Sequence, residues 1–136
     1  MPFVVDASVA AAWLLPDEAD NAAQAAFARF PGDSALAPGL WWFEVRNIFI
    51  INERRGRIDE SRTRQALALL SALPIRLDHN AEDAAVMALA RRHGLTAYDA
   101  AYLELALREG IELATLDQPL ARAARLEGVP VIGDDT

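Results

Sequence analysis

Short apolar runs with strand character alternate with longer helical patterns along the whole chain. Five runs predict β-strands, at residues 3–5, 34–37, 75–77, 111–115 and 129–132. The segments between them predict helices, because they are rich in alanine and leucine and are bounded by capping and breaking residues. Such alternation is typical of a parallel sheet with helices on both faces, joined by right-handed crossovers. We therefore predict an α/β protein built on one parallel sheet.

Capping and breaking residues set the expected bounds of the helices. The predicted helices span residues 9–15, 17–30, 41–55, 60–73, 81–93, 97–110 and 118–127. Pro16 is expected to end the first helix, and Asp59, Asn80 and Thr96 are expected to cap three later ones. Ligands of such a sheet bind beyond the carboxyl ends of its strands, so we expect a functional site at that edge.

Composition narrows the class of protein further. The chain has 136 residues, 53% of them hydrophobic, which is enough apolar side chain for the core of a single domain spanning residues 1–136. The apolar run 7–15 is much shorter than the roughly 20 residues of a membrane-spanning helix, and Asp6 interrupts any signal peptide. We therefore expect a cytoplasmic protein with no membrane partner. Cysteine is absent and there are only two histidines, so any metal site should use oxygen ligands.

Four acidic residues are expected to meet at the carboxyl edge of the sheet. Asp6 directly follows the first strand, and Asp117 follows the fourth by one residue. Glu44 and Asp99 lie in the first turns of predicted helices that could begin at the same edge. Each of these acids, taken alone, is more often a helix cap or an acid that complements the helix dipole. Together they would raise one another's pKa, and a hard divalent cation such as Mg²⁺ would remove this repulsion.

Asp99 gives the strongest indication of a metal. It lies in the mostly apolar segment 95–103, so we expect it to be partly buried, where a carboxylate needs a cation. Ser8 and Thr115 stand two residues from Asp6 and Asp117, where a hydroxyl can hydrogen-bond a carboxylate, although ordinary cap or strand roles explain them equally well. Two ions about 4 Å apart would suit phosphodiester cleavage.

The order and content of these segments resemble the PIN domain, in particular that of VapC-type toxins. The resemblance rests on residues 6–8, on Glu44, and on the segments 98–103 and 114–117, of which the last two are the most specific. It covers nearly the whole chain. It implies a three-layer α/β/α fold with a five-stranded parallel sheet and about seven helices.

The resemblance also assigns roles to the candidate residues. It implies that the metal ligands are the four acids Asp6, Glu44, Asp99 and Asp117. It implies that the catalytic set consists of these acids and two supporting hydroxyls, those of Ser8 and Thr115. The implied activity is that of an endoribonuclease that depends on Mg²⁺ or Mn²⁺ and cleaves RNA as the toxin of a toxin-antitoxin pair. Such toxins form homodimers, and a small antitoxin protein inhibits them in a hetero-oligomer.

An RNA substrate requires basic side chains, and all 13 basic residues of this chain are arginines. The cluster of Arg54, Arg55 and Arg57 is the candidate RNA contact, because a guanidinium group can bind phosphate with two parallel hydrogen bonds. A solvated helix end that complements the macrodipole is the alternative for this cluster. The formal net charge of -7 opposes RNA binding, except where a cation neutralises the clustered acids.

Two other classes of protein remain as alternatives. A catalytically inactive PIN-like module could bind RNA or protein without cutting, although four intact acids argue against it. A receiver domain that accepts a phosphoryl group would need paired acids after the first strand and a lysine after the fifth. Only one acid follows the first strand here, and the chain contains no lysine.

Overall fold

The computed structural model describes residues 1–15 and 20–134. These residues contain four short strands and seven helices, joined by turns and loops. The strands are β1 (Phe3–Val5), β2 (Ala35–Pro38), β3 (Ile75–Asp78) and β4 (Glu112–Ala114). The helices are α1 (Ala7–Leu14), α2 (Asn21–Phe27), α3 (Leu40–Arg54), α4 (Glu60–Ser71), α5 (Asp83–His93), α6 (Ala97–Glu109) and α7 (Gln118–Leu126). The predicted stop at Pro16 and helix start at Asp17 fall outside the described residues.

The sheet is parallel throughout, with the strand order β3-β2-β1-β4. In its middle, Val4 of β1 is aligned with Leu36 of β2 and Leu113 of β4. Both β1 and β2 are buried along their whole length, as expected for parallel strands covered on both faces. Helix α6 packs on β1, β2 and β4, while α3 packs on β2 and α2 on β4. The predicted three-layer α/β/α fold is confirmed, with four strands in place of the predicted five.

The fifth predicted strand, residues 129–132, is reduced to a single contact. Val131 forms an isolated parallel bridge with Leu113, supported by hydrogen bonds of 2.9 Å from Leu113 N to Pro130 O and from Ile132 N to Leu113 O. Pro130 has no N–H to extend the ladder, and Gly133, at φ +97°, turns the chain away immediately afterwards. Pairing along β4 therefore ends after one residue.

Most of the predicted helix caps are observed. The side chains of Asp59 and Thr96 accept hydrogen bonds from backbone amides of the first turns of α4 and α6, and Gly110 ends α6 in the left-handed conformation at φ +66°. Asn80, in contrast, caps nothing. Its backbone N–H donates to Asp78 Oδ1 at 2.9 Å, which keeps the chain in a turn after β3, and α5 begins only at Asp83. Among the described residues, no helix has the length and apolar character needed to cross a membrane.

A buried acid on α6 is tied to the end of β3 through one guanidinium group. Glu104 is only 3% exposed, and Arg108 Nε donates to its Oε1 at 2.7 Å. Arg108 Nη2 also donates to Asp78 Oδ1 at 2.8 Å, and this contact holds the pKa of Asp78 below its ordinary value. Arg108 therefore compensates two carboxylates at once and fixes α6 relative to the sheet edge.

We predict that Arg108→Met destabilises the protein by about 2 kcal/mol, because it leaves Glu104 buried without a cation. The expected loss lies below that of a fully buried pair because Arg108 is itself partly exposed. Urea unfolding followed by tryptophan fluorescence measures the effect. Arg122→Met, at an exposed position of α7, is the matched control and should change the free energy of unfolding by less than about 0.5 kcal/mol. Equal midpoints for the two variants would contradict the prediction.

Candidate active site

A pocket of about 280 Å³ opens where the carboxyl ends of β1 and β4 meet the starts of several helices. All four predicted acids line it. The full set of lining residues is Asp6, Ala7, Ser8, Glu44, Asn47, Ile48, Asp99, Tyr102 and Asp117. The structure thus brings together side chains that are far apart in the sequence, at the edge where ligands of parallel sheets bind.

Asp6 is the most buried of the four acids, at 5% exposure. Its Oδ1 accepts hydrogen bonds from Ser8 Oγ at 2.6 Å and from Val9 N at 3.1 Å, so it also caps α1. Its Oδ2 accepts a hydrogen bond from the hydroxyl of Thr115, at the end of β4. Ser8 and Thr115 therefore both donate to the carboxylate of Asp6, although Thr115 is nearer to Asp117 in the sequence.

The same two hydroxyls order the segment that leads to Asp117. Ser8 Oγ accepts a hydrogen bond from Leu116 N, and Thr115 Oγ1 accepts one from Asp117 N, both at 3.0 Å. Asp117 Oδ2 then accepts from Leu120 N at 2.9 Å, which makes Asp117 the cap of α7. Each hydroxyl thus links the loop after β1 to the loop after β4, and two of the four acids cap helices that begin at the pocket.

Glu44 and Asp99 come from two longer helices, α3 and α6. Asp99 lies in the first turn of α6 and is half-buried, as the apolar segment around it predicted. Glu44 lies in the second turn of α3, because this helix begins at Leu40, one residue before the predicted start. Its Oε1 accepts a hydrogen bond from the hydroxyl of Tyr102, one turn after Asp99 on α6.

Burial and the charge of neighbouring acids raise the pKa values of Asp6, Glu44 and Asp99 above their ordinary values. Burial raises the pKa of Asp6 from 3.8 to about 6, against the opposing effect of its hydrogen bonds from Ser8 and Thr115. The pKa values of Glu44 and Asp99 are also raised, mainly by burial, with further increases from the charge of Asp99 on Glu44 and of Asp117 on Asp99. The site therefore favours any cation, proton or metal, that reduces its negative charge.

The donor set fits a hard divalent cation by its chemistry. The pocket offers carboxylate, hydroxyl and amide oxygens, and neither a histidine nor an arginine lines it. Within residues 1–15 and 20–134, however, no three acidic or histidine side chains are already placed around a common point as a finished metal site. A bound cation would therefore draw some of these carboxylates inward or use water molecules as additional ligands.

The predicted RNA contacts lie away from the pocket. Arg54, Arg55 and Arg57 are all exposed at or just beyond the end of α3, and none of them lines the pocket. Four lining residues, in contrast, were absent from the predicted site, and one of them, Ala7, lies between the predicted Asp6 and Ser8. Asn47, Ile48 and Tyr102 follow Glu44 or Asp99 by three or four residues, and this helical spacing is the signal that would have identified them.

Comparisons with known proteins agree with the fold. The model of the PIN domain family matches residues 3–126, and the chain therefore belongs to this family, whose members are typically nucleases. The crystal structure of PAE2754 from Pyrobaculum aerophilum is similar, with a TM-score of 0.71 and 25% identity, and covers 97% of this chain and 84% of that one. A toxin-antitoxin complex from Klebsiella pneumoniae contains the same fold, with a TM-score of 0.55, 18% identity and coverage of 95% and 94%. No curated protein matches the sequence significantly.

The raised pKa of Asp6 predicts that the metal-free protein loses stability as pH rises. The folded chain holds this proton more tightly than the unfolded chain, so stability falls between pH 3.8 and about 6 and stays low above that range. Asp6→Asn keeps the shape of the side chain without the charge. In EDTA it should be more stable than the wild type by about 3 kcal/mol at pH 7.5, and by less than about 1 kcal/mol at pH 4.

Urea unfolding at both pH values measures this difference. Asp59→Asn changes an exposed cap on α4 in the same chemical way and should leave stability nearly unchanged at either pH, because Asn and Asp cap helices equally well. An Asp6→Asn variant that is less stable than the wild type at pH 7.5 would disprove the prediction.

Proposed function

We propose that the chain, acting as a single PIN domain over residues 1–136, is an endoribonuclease that depends on Mg²⁺ or Mn²⁺ and is the toxin of a toxin-antitoxin pair. The observation that carries the proposal is a pocket that, among the residues the structure describes, is lined by four carboxylates and by no basic side chain, in a chain of the PIN domain family. Such an excess of negative charge suits a site whose cation comes from solution.

The residues of the site would have two roles, binding of the cation and orientation of the carboxylates that bind it. Asp6, Glu44, Asp99 and Asp117 would hold the cation, and Ser8 and Thr115 would hold Asp6 in place. When bound, a divalent cation stabilises the negative charge that develops on the phosphodiester oxygens during cleavage. Asp6 would be the most rigid ligand, because three hydrogen-bond donors fix its carboxylate. The less buried Glu44 and Asp99 would face the substrate side of the pocket.

RNA would extend from the pocket along α3. Arg54 follows Glu44 by ten residues on this helix, which corresponds to about 15 Å at 1.5 Å per residue. Arg55 and Arg57 continue the positive surface just beyond the helix end. We infer that this cluster contacts phosphates a few nucleotides away from the cleaved bond.

Two protein partners belong to the proposal. The toxin-antitoxin complex that shares this fold supports an antitoxin partner. A groove of about 370 Å³ between α1 and α2, lined in part by Trp13 and Phe27, offers apolar surface for it. A homodimer is supported by the exposed apolar side chains of α3, since Trp42, Phe43 and Ile50 are 44%, 70% and 41% exposed.

Cleavage of RNA by the purified protein tests the activity. We predict that Asp6→Asn and Asp99→Asn each lower Mg²⁺-dependent cleavage by at least about 100-fold while both variants remain folded, because each removes a charged cation ligand. Asp83→Asn, in the exposed first turn of α5, is the matched control and should cleave at the wild-type rate. Cleavage sites mapped on total RNA would identify the substrate. Undiminished cleavage by both site variants would refute the proposed site, and RNA binding without cleavage by the wild type would favour the inactive binding module.

Cation binding should also appear as thermal stabilisation in the absence of RNA. A ligand at ten times its Kd stabilises the folded state by about 1.4 kcal/mol, or a few degrees in Tm for a domain of this size. We therefore predict that MgCl₂ raises the Tm of the wild type above that in NaCl of equal ionic strength, and does so much less for Asp99→Asn. Equal shifts in the two proteins would place the binding of Mg²⁺ outside this pocket.

A further inference from the structure

A tyrosine hydroxyl connects the two longer helices that supply acids to the pocket. Tyr102 lies on α6, three residues after Asp99, so both side chains leave the same face of the helix. Its hydroxyl donates to Glu44 Oε1 of α3 at 2.5 Å. The residue is 1% exposed overall, and it is one of the residues that line the pocket. The ring is thus fixed by the core, while the hydroxyl faces an acid of the site.

The surroundings of Tyr102 keep its hydroxyl protonated. Burial raises the pKa of the phenol far above its ordinary value, and the hydrogen bond to Glu44 and the charges of Glu44 and Asp6 raise it further. A tyrosine hydroxyl ordinarily has a pKa of about 10, so Tyr102 is a neutral hydrogen-bond donor at neutral pH. A donor of this kind, with a fixed ring and one free torsion at the hydroxyl, determines where its acceptor lies.

Glu44 depends on this one donor for its orientation. Its side chain has three rotatable bonds, and within the described residues Tyr102 is the only group that donates a hydrogen bond to its carboxylate. Asp6, in contrast, has a shorter side chain and three donors. Repulsion from Asp99 would favour conformers of Glu44 that point away from the pocket if Tyr102 did not hold it.

We propose that Tyr102 is a positioning residue that holds the Glu44 carboxylate toward the pocket, so that its second oxygen is available to a divalent cation. This inference rests on the proposed function, because it assumes that the four acids bind a cation. Ser8 and Thr115 orient Asp6 by hydroxyl donors in the same manner, and Tyr102 is the corresponding donor for Glu44. The site then has hydroxyl groups on three segments, of which those of Ser8 and Thr115 donate to Asp6 and that of Tyr102 donates to Glu44.

The substitution Tyr102→Phe separates the hydrogen bond from the packing. It keeps the buried ring and removes only the hydroxyl, so the carboxylate of Glu44 becomes free to rotate while the core remains filled. Without the hydrogen bond from Tyr102, the cation itself must order the Glu44 carboxylate. We therefore expect cation binding to weaken by about fivefold or more. This effect of Tyr102→Phe on cation binding should disappear when Glu44 is replaced by the uncharged glutamine.

Titration of the RNA-free protein with Mn²⁺, followed by electron paramagnetic resonance, measures this binding directly. We expect Tyr102→Phe to raise the Kd for Mn²⁺ at least about fivefold. Tyr98→Phe is the matched control, since it makes the same change four residues earlier on α6 at a side chain that is 65% exposed, and it should bind Mn²⁺ as the wild type does. In a Glu44→Gln background, adding Tyr102→Phe should produce no further loss.

The outcomes distinguish this inference from the proposed function. If the wild type binds Mn²⁺ and Tyr102→Phe binds it equally well, the positioning role is overturned and the proposed function stands. If Tyr102→Phe weakens binding equally in the Glu44→Gln background, the hydroxyl does not act through the carboxylate of Glu44, which also overturns the inference. If the wild type binds no Mn²⁺, the proposed cation dependence fails together with the inference. Should Tyr102→Phe fold poorly, 4-aminophenylalanine at position 102 restores a donor, and wild-type affinity in that protein is then required.

Discussion

The buried carboxylate of Asp6 places the strongest physical demand on this molecule. Taking a charged group out of water is costly, and in the described part of the chain no cationic side chain lines the pocket to offset that cost. Three hydrogen bonds reduce it, and one of them comes from Thr115, which is 109 residues away in the sequence. The pairing of β1 with β4 is therefore needed both to build the sheet and to solvate this acid with protein groups.

The amino-terminal ends of helices also stabilise the negative charge of the acids in this site. Asp6 and Asp117 cap α1 and α7, and Asp99 lies in the first turn of α6, whose own cap is Thr96. The amino-terminal end of each helix carries partial positive charge, so three of the four acids lie where this charge is greatest. Glu44, in the second turn of α3, lacks this benefit and relies on Tyr102 instead. The arrangement tolerates four acids without a basic residue among them.

Local patterns predicted those features that depend on neighbouring residues. Asp59 and Thr96 could be identified as caps because a cap acts within three residues of itself, and Asp6 and Asp117 could be placed at one edge because parallel strands end together. The prediction of a full fifth strand was wrong, because the apolar pattern of residues 129–132 does not reveal how the backbone pairs. Pro130 and Gly133 limit the hydrogen bonding with β4 to a single bridge. The prediction that Asn80 caps a helix was wrong because its backbone N–H donates to Asp78, which keeps residue 80 in the turn after β3. Arg108 of α6 in turn holds Asp78 in place. Helical spacing from Asp99 could have placed Tyr102 at the pocket, but its hydrogen bond to Glu44 could not be predicted from local patterns, since the two residues are 58 positions apart.

The hydrogen bond from Thr115 to Asp6 also determines when the pocket can form during synthesis of the chain. A chain is made from its amino terminus, so Asp6 and Glu44 leave the ribosome long before Asp99, Thr115 and Asp117 have been added. During most of its synthesis the polypeptide has no β4, no Thr115 hydroxyl to donate to Asp6 and only two of the four acids that line the pocket. An unfinished chain therefore lacks the assembled pocket, and whatever chemistry this pocket performs begins only after β4 has been made and has paired with β1.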